Sequence, residues 1–370
     1  MKQTSEERTK NIIYGISIFF LGIFLAYGIV YKFPAIFQET ITKIEKDVTV
    51  TDKGIADAVE KVYDSVIVVS TFKGDKQYSS GSGFLYKIDG NNTYIITNQH
   101  VVSGGDNYKV TFTDGKKIDA EVLGGDQYAD IAVLKVKTDN SFKSVDLGRT
   151  DSLRVGDTTF TVGAPLDNVY SWTVTRGIIS GKERLVEISL ENSLNTDYVM
   201  NVLQTDAAIN SGNSGGPLCD SNGEVIGVIS AKISSTGVEG MGFAIPIEIA
   251  QEKAEQIING EASEYPYLGA SLANIGDVIY DRVYSNYLKD TKLTSGVMVI
   301  DVEKNSPADN AKLQSGDIII SMNGISINNV AYLRYELYKH KIGDVIEIAY
   351  ERNGKQNIVS VKLASKYQTS

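Results

Sequence analysis

The chain has 370 residues, 42% of them hydrophobic, which is enough for folded cores in more than one domain. It carries 36 Lys and Arg against 46 Asp and Glu, and the formal net charge of −10 argues against electrostatic binding of nucleic acid. A single cysteine excludes an intramolecular disulfide, and with two dispersed histidines it excludes a Cys/His metal cluster. No metal or other cofactor is expected, and Cys219 is interpreted as a small buried apolar residue.

The N-terminus carries an apolar stretch. Residues 12–31 contain no charge and are rich in Ile, Phe, Leu and Gly, and this length spans a bilayer core. No small-x-small cleavage site ends the stretch, so residues 11–31 are interpreted as a single-pass anchor in the cell membrane. Basic residues within 1–10 put that end in the cytoplasm, although Lys32 weakens the contrast. A polar tether over 32–52 then leads to an extracytoplasmic remainder.

The next part of the chain predicts an all-β fold. Helical spacing over residues 55–62 leads into an apolar strand over 65–70, and short strands then recur between turn signals. This pattern is typical of a pair of β-barrels, with the junction expected near 145–155.

One of the two histidines stands out as a candidate base. Residues 93–97 form an apolar strand that breaks into polar residues just where His100 appears. His340 lies in a charged segment typical of the last turn of a helix, where a cation is mildly favoured. A catalytic imidazole needs a carboxylate to set its tautomer. Asp130 fits best because it opens the apolar run over 131–136, but the residues alone leave three other candidates open: Asp126, Asp106 and Asp119.

The segment Gly212-Asn213-Ser214-Gly215-Gly216-Pro217 predicts a nucleophile. A glycine two residues before a serine leaves room for a substrate carbonyl, so the N–H groups of Gly212 and Ser214 can face a developing oxyanion. The alternative is a glycine-rich loop between strands.

Three segments together resemble the HtrA/Deg family of bacterial serine proteases: Thr97-Asn98-Gln99-His100-Val101, residues 130–135, and residues 204–217. The resemblance implies a chymotrypsin-like double β-barrel over residues 53–258. It also implies a triad of His100, Asp130 and Ser214, with oxyanion donors from Gly212 and Ser214, and so favours Asp130 over Asp126.

The resemblance implies further roles. Asn213 stands where digestive relatives carry an aspartate that pairs with a new N-terminus, so mobile loops are expected to order the oxyanion turn instead. Arg184 matches the family's sensor-loop arginine; the alternative is a solvated surface arginine. Ala208 and Ile209 suggest a small apolar pocket for the residue before the scissile bond. Ser230-Ala231-Lys232 resembles the edge strand that pairs with extended substrate.

A second domain is expected over residues 265–366, after a closing helix near 246–258 and a polar linker over 259–264. Residues 296–302, 306–308, 313–324 and 328–340 resemble a PDZ domain. Tyr267-Leu268-Gly269-Ala270 matches the carboxylate loop of HtrA-type PDZ domains, where the amides of Leu268, Gly269 and Ala270 would bind a peptide C-terminus. Residues 277–292 form an insertion-like segment, interpreted as a solvated surface loop without an assigned role.

The sequence therefore predicts a mainly β protein with an N-terminal transmembrane helix, a double-barrel protease domain and a PDZ domain. The predicted function is a membrane-anchored, ATP-independent serine endopeptidase that cleaves misfolded or damaged exported proteins. The family implies a homotrimer, with unfolded proteins and C-terminal or extended peptides as partners. The alternative function is a PDZ-bearing chaperone or scaffold in which proteolysis is secondary or absent.

Overall fold

The computed structural model describes most of the chain in two compact units, residues 1–52 and residues 53–370. The described residues are 14, 16–25, 32, 52–138, 142–163, 172–188, 196–231, 233, 240–261, 264–279, 281, 283–284 and 286–366.

In the N-terminal unit, residues 16–25 are helical. Among the described residues, no helix has both the length and the apolar character needed to cross a membrane. The predicted anchor over 11–31 lies only partly within the described residues, and the predicted tether over 32–52 lies almost wholly outside them. The anchor therefore stays a prediction.

The first barrel follows helix α1 (Asp52–Tyr63) and closes in the strand order β1-β2-β3-β6-β5-β4. Its strands are rich in Val, Ile and Thr, which suit a pleated surface buried on one face. Helix α2 (Gln99–Val102) begins two residues after the end of β3. The strands are β1 (Val66–Lys73), β2 (Lys76–Asp89), β3 (Asn92–Thr97), β4 (Asn107–Thr111), β5 (Lys117–Asp126) and β6 (Ile131–Lys137).

The second barrel begins after a connection over residues 138–157 and closes in the order β10-β11-β12-β9-β8-β7. The predicted pair of barrels is thereby confirmed. The strands are β7 (Thr158–Gly163), β8 (Thr173–Ile188), β9 (Tyr198–Thr205), β10 (Pro217–Asp220), β11 (Val225–Ile229) and β12 (Gly242–Pro246).

One apolar cluster joins the two barrels. Phe84 and Ile131 of the first barrel and Phe160 of the second are fully buried in it. Helix α3 (Ile247–Ile258) packs against β5 and β6 on one side and against β11 and β12 on the other. Because the two barrels share this core, they are held in a fixed position relative to each other.

The predicted PDZ domain follows, built on a sheet in the order β14-β15-β16-β18-β19 with β17 paired to β16. Strands β13 and β20 form a separate two-stranded antiparallel sheet, which brings the beginning and the end of this domain together. The strands are β13 (Pro266–Tyr267), β14 (Ala270–Asn274), β15 (Val297–Val302), β16 (Ile318–Met322), β17 (Ile325–Ser326), β18 (Val345–Arg352), β19 (Lys355–Lys362) and β20 (Ala364–Ser365). The helices are α4 (Ile275–Val278), α5 (Pro307–Asn310) and α6 (Val330–Leu337).

An ion pair between a partly exposed arginine and a fully buried aspartate stabilises the PDZ sheet. The carboxylate of Asp317 is fully buried, and Arg352 donates to its two oxygens from Nε at 2.6 Å and Nη2 at 2.7 Å. Removing one partner of such a pair leaves an uncompensated buried charge. We expect Arg352→Ala to lower the free energy of unfolding of the PDZ domain by about 3–5 kcal/mol. Hydrogen–deuterium exchange of the β16 and β18 amides measures this loss.

The matched control is Arg154→Ala, which removes an arginine paired with Asp157 but 84% exposed. Surface pairs of this kind contribute little to stability, so exchange is expected to stay near that of the unmodified protein. Equal protection of the PDZ amides in the Arg352 and Arg154 variants would contradict the role given to the buried pair.

Candidate active site

His100 and Asp130 meet where two neighbouring antiparallel strands end and begin. Thr97, the last residue of β3, pairs with Ala132 near the start of β6, so the turn after β3 lies beside the turn before β6. His100 Nδ1 lies 2.8 Å from Asp130 Oδ2, and the His100 backbone N–H donates to Oδ1 at 3.0 Å. Asn98 Nδ2 donates to the Asp130 carbonyl at 2.9 Å. These contacts fix both the ring and the carboxylate.

This geometry sets the chemistry of the imidazole. A neutral ring whose Nδ1 faces a carboxylate keeps its proton there, which leaves Nε2 free to accept one. The Asp130 side chain is 4% exposed, whereas that of His100 is 26% exposed. The ring can therefore reach a substrate while its partner stays sheltered from water.

Asp126, the rival carboxylate, has a different task. Its Oδ1 accepts from the N–H groups of Tyr128 and Ala129 at 2.9 Å each, and its Oδ2 accepts from the Tyr265 hydroxyl at 2.5 Å. Lys253 Nζ lies 3.6 Å away. Asp126 thus caps the turn that leads to Asp130 and ties that turn to the start of the PDZ domain.

The same contacts perturb nearby phenols. Burial and then the charge of Asp126 raise the pKa of Tyr265. Burial and then the charge of Asp130 raise the pKa of Tyr198, whose ring meets that of Tyr128 edge to face. Both phenols are therefore neutral, and that of Tyr265 donates to Asp126.

Ser214 lies in the turn between β9 and β10, almost fully buried, with Gly212 at φ +101° and Gly215 at φ +85°. Its Oγ accepts a hydrogen bond from the Ala231 N–H at 3.0 Å, while the neighbouring Ser230 Oγ donates to Asp130 Oδ2 at 3.0 Å. Consecutive residues therefore connect the serine hydroxyl and the aspartate carboxylate across one cleft. A hydroxyl that accepts keeps its own proton available for donation.

The backbone around Ser214 offers free donors. Within the described part of the chain, neither the Gly212 N–H nor the Ser214 N–H has a hydrogen-bond acceptor. Buried or cleft-facing amides without acceptors can bind an oxyanion. Asn213 between them is 1% exposed, and its Nδ2 donates to the Ala208 carbonyl at 3.3 Å. Its Oδ1 has no donor among the described residues.

The predicted substrate-binding residues lie on two segments beside this turn. The Ile209 side chain packs directly against the backbone of Gly242. A Cβ at position 242 would lie 2.5 Å from Ile209 Cγ1, so this contact requires glycine. The Ala208 carbonyl also accepts from Thr175 Oγ1 at 2.9 Å.

The predicted edge strand over 230–232 has a different form in the structure. Strand β11 ends at Ile229, and the Ile233 N–H donates to the Ser230 carbonyl at 3.3 Å, so Ser230 and Ala231 begin a turn. The Ser230 hydroxyl donates to the Asp130 carboxylate, a contact that sequence reasoning missed. Lys232 lies outside the described residues.

The structure also places Arg184, His340 and Cys219. Arg184 lies exposed in β8, opposite Val202 of β9. Helix α6 ends at Leu337, so His340 follows the helix and does not lie in its last turn as predicted. The Nε2 atom of His340 lies 3.1 Å from Asn323 Nδ2. Cys219 is fully buried, and burial raises the pKa of its thiol, which agrees with an unreactive packing role.

The predicted carboxylate loop precedes the free edge of the PDZ sheet. Leu268 is buried, Gly269 has φ +77°, and Ala270 begins β14, which within the described strands pairs only with β15. Val330, the first residue of α6, donates its N–H to Asn274 Oδ1 at 2.8 Å, so this helix begins beside the far end of β14. An open strand edge beside a helix is the arrangement that accepts an added peptide strand.

The insertion over 277–292 is not simply a solvated loop. Tyr284 and Leu288 of this segment, with Leu293 just after it, pack against the apolar cluster of Ile275 and Met298, while Val283 stays exposed. The described part of this segment therefore covers one face of the PDZ sheet.

A trypsin-like serine peptidase joined to a PDZ domain is the class that these barrels, this cleft and this second sheet define. Family comparison agrees: the trypsin-like peptidase domain matches residues 81–228 and the PDZ domain matches residues 266–363. Among the described residues, no group of His, Cys, Asp and Glu could hold a metal ion.

Sequence comparison with known proteins identifies the family within this class. The chain is 40% identical to the serine protease Do-like HtrA of Bacillus subtilis, over 79% of this chain but only 65% of that relative. It is 33% identical to the serine protease Do-like HtrA of Lactococcus lactis subsp. cremoris, over 88% of this chain and 86% of the relative. The chain belongs to the HtrA family of serine proteases.

Solved structures share the fold. The serine endoprotease from Yersinia pestis is 28% identical with a TM-score of 0.61, over 84% of this chain and 97% of that one. The HtrA-type protease AlgW with a decapeptide is 29% identical with a TM-score of 0.64, over 86% of this chain and 99% of that one.

Proposed function

We propose that this HtrA-family endopeptidase cleaves peptide bonds with Ser214 as nucleophile, His100 as general base and Asp130 as the group that orients the base. The observation that carries the proposal is the His100–Asp130 pair, with Nδ1 2.8 Å from Oδ2, in a cleft that also holds the Ser214 hydroxyl. Ser214 Oγ attacks the carbonyl carbon while His100 Nε2 takes its proton.

The negative charge that forms on the carbonyl oxygen needs donors. The N–H groups of Gly212 and Ser214 supply them in this proposal, since both lack another acceptor among the described residues. His100 then gives its proton to the leaving amine, and an acyl group stays on Ser214. Water attacks that acyl group with His100 again as base, which releases the acid product and restores the serine hydroxyl.

Substrate choice follows from the residues beside the turn. Ala208 and Ile209 place no acid near the residue before the scissile bond, so small or branched apolar residues such as Val, Ala and Leu fit best. In the resting arrangement the Ala231 N–H occupies one lone pair of Ser214 Oγ. Entry of an extended substrate along residues 230–232 would replace this contact, and Arg184 is proposed to act in the loop that responds to substrate.

The PDZ domain is proposed to bind C-terminal or extended peptides, with Leu268, Gly269 and Ala270 capturing the carboxylate. The HtrA-type relative AlgW has been solved with a decapeptide and with a tripeptide. We further propose a single-pass anchor over residues 11–31, an extracytoplasmic catalytic part and a homotrimer, acting on misfolded exported proteins. The basic residues before the apolar stretch support this orientation.

Digestion of an unfolded model protein tests the proposed function. The purified chain without residues 1–52 is expected to degrade reduced, unfolded protein without ATP and to leave the same protein intact when folded. Mass spectrometry of the products is expected to find Val, Ala or Leu before most cleaved bonds. Cleavage mainly after Lys or Arg would contradict the apolar pocket.

The peptide-binding part has its own control. A peptide with an apolar C-terminal residue and a free carboxylate is expected to bind the PDZ domain, whereas the same peptide with a C-terminal amide loses the charge that the loop amides would hold. Equal binding of the two peptides in a titration would rule out carboxylate capture by Leu268, Gly269 and Ala270.

A further inference from the structure

Ser82, a buried residue of β2 in the first barrel, donates two hydrogen bonds to the active-site turn of the second barrel. Its Oγ donates to the Gly212 carbonyl at 2.7 Å, and its N–H donates to the Ser214 carbonyl at 2.7 Å. Its own carbonyl accepts from Thr97 Oγ1 at 2.7 Å. The side chain is fully buried, so water does not compete for these bonds.

The backbones pack too closely for any side chain to intervene. A Cβ on Gly215 would lie 2.1 Å from the Ser82 carbonyl oxygen, and a Cβ on Gly81 would lie 2.9 Å from the Ser214 carbonyl oxygen. The glycines on both sides of the contact are therefore required by the approach of the two chains.

Ser82 contacts the same two residues whose amides are the proposed oxyanion donors. The N–H groups of Gly212 and Ser214 have no acceptor among the described residues, while the carbonyls of these two residues both bind Ser82. These carbonyls belong to the peptides that run to Asn213 and to Gly215. Ser82 therefore holds the two peptide planes on either side of the one that carries the Ser214 N–H, and the plane next to the one that carries the Gly212 N–H. Gly212 has φ +101° and no side chain of its own to limit rotation. Within the turn the Asn213 N–H donates to the Asn210 carbonyl at 3.0 Å, and Ser82 adds a second restraint from the opposite barrel.

The same contact also ties the nucleophile to the base. Thr97 ends β3, three residues before His100, and its hydroxyl fixes the Ser82 carbonyl. The first barrel thus holds His100 through its chain and the Ser214 turn through Ser82.

We infer that Ser82 is a positioning residue that keeps the oxyanion donors of Gly212 and Ser214 aligned from the opposite barrel. Loss of its hydroxyl leaves the buried Gly212 carbonyl without a donor, and the peptide planes around it can then rotate. The effect appears in the transition state, where the oxyanion forms, and not in the binding of substrate. This inference rests on the proposed function of Ser214.

The test is Ser82→Ala, which removes the side-chain bond and keeps the N–H bond to Ser214. With a peptide substrate, kcat is expected to fall by about 10- to 100-fold, less than for direct loss of an oxyanion donor, and KM to stay nearly unchanged. A peptidyl trifluoromethyl ketone, which forms a tetrahedral oxyanion on a catalytic serine, is expected to lose affinity by the same factor.

The matched control is Thr93→Val in β3. It removes a buried side-chain hydrogen bond, Thr93 Oγ1 to Thr138 Oγ1 at 2.6 Å, from the same barrel without touching the active-site turn. It is expected to lower stability and to leave kcat and ketone affinity unchanged. An equal loss of kcat in the control would show that the Ser82 effect is only structural and would overturn the inference.

A second variant keeps the inference testable if the Ser82→Ala protein folds poorly. Thr97→Val frees only the Ser82 carbonyl and is expected to cause a smaller loss of kcat, again matched by ketone affinity. Unchanged kcat in either folded variant, or lower kcat with unchanged ketone affinity, would overturn the inference. A fluorophosphonate probe separates the two failures: if the unmodified protein is not labelled at Ser214, the proposed function fails, whereas labelling with full activity of Ser82→Ala refutes the inference alone.

Discussion

Replacement of Ser214 by alanine is expected to lower turnover by about 10⁴-fold or more, because no other hydroxyl among the described residues accepts from the Ala231 N–H beside the glycine-rich turn. The fold is expected to persist. Alanine fits the nearly buried site, and the removed hydroxyl gives up one hydrogen bond, from Ala231. Hydrolysis of an unfolded protein measures the loss, and circular dichroism with thermal melting checks the fold.

Ser221→Ala is the matched control, since this serine lies in the turn between β10 and β11, on the same segment but outside the cleft. Its turnover is expected to equal that of the unmodified protein. Undiminished cleavage by purified Ser214→Ala protein would refute Ser214 as the nucleophile. A Ser214→Ala protein that still prevents aggregation of unfolded substrates would add a chaperone activity to the protease.

Asp130→Asn is expected to lower turnover by about 10⁴-fold with little change in the fold. An amide Nδ2 facing His100 Nδ1 donates where the carboxylate accepted, so the ring proton moves to Nε2, which can no longer take the proton of Ser214. Asparagine is the informative substitution because Asp130 has φ +52°, a conformation that asparagine tolerates and most residues do not. Single-turnover kinetics measures the chemical step.

Asp126→Asn is the paired control. Its amide oxygen can still accept from the Tyr128 and Ala129 N–H groups, while the charge near Lys253 is lost. Stability is expected to fall, and turnover to remain of the same order as in the unmodified protein. Equal losses of turnover in the two variants would refute the assignment of Asp130 as the orienting carboxylate.

The contrast between these two aspartates shows how far the residues alone can be taken. Both precede the same apolar run, and both are buried, so neither periodicity nor burial separates them. Asp130 fitted best because it opens that run directly, but Asp126 stayed open as an alternative until the resemblance to a family favoured Asp130. The contacts give the physical difference: Asp126 accepts from amides within its own turn, while Asp130 accepts from His100, which lies in α2 after another strand.

Ser82 could not be found by local reasoning, because the carbonyl that it binds is 130 residues away. The one signal was Gly81-Ser82-Gly83 inside a strand pattern, since glycine in a strand often marks a close approach of another backbone. The 277–292 segment was misjudged for a related reason. Its charged residues suggested a solvated loop, but Tyr284 and Leu288 pack on the PDZ sheet.

The sequence by itself determined the chemistry and the architecture: a serine in a glycine-rich turn, a histidine at a strand end, short alternating strands and a second domain with PDZ motifs. These features depend on residue type and on neighbours along the chain, where backbone sterics and side-chain periodicity act. Only the tertiary structure decided which carboxylate faces His100, that the Ser230 hydroxyl binds Asp130, and that Ser82 holds the active-site turn. Those choices depend on hydrogen bonds between distant segments, and such bonds form only once the shared core has brought the two barrels together.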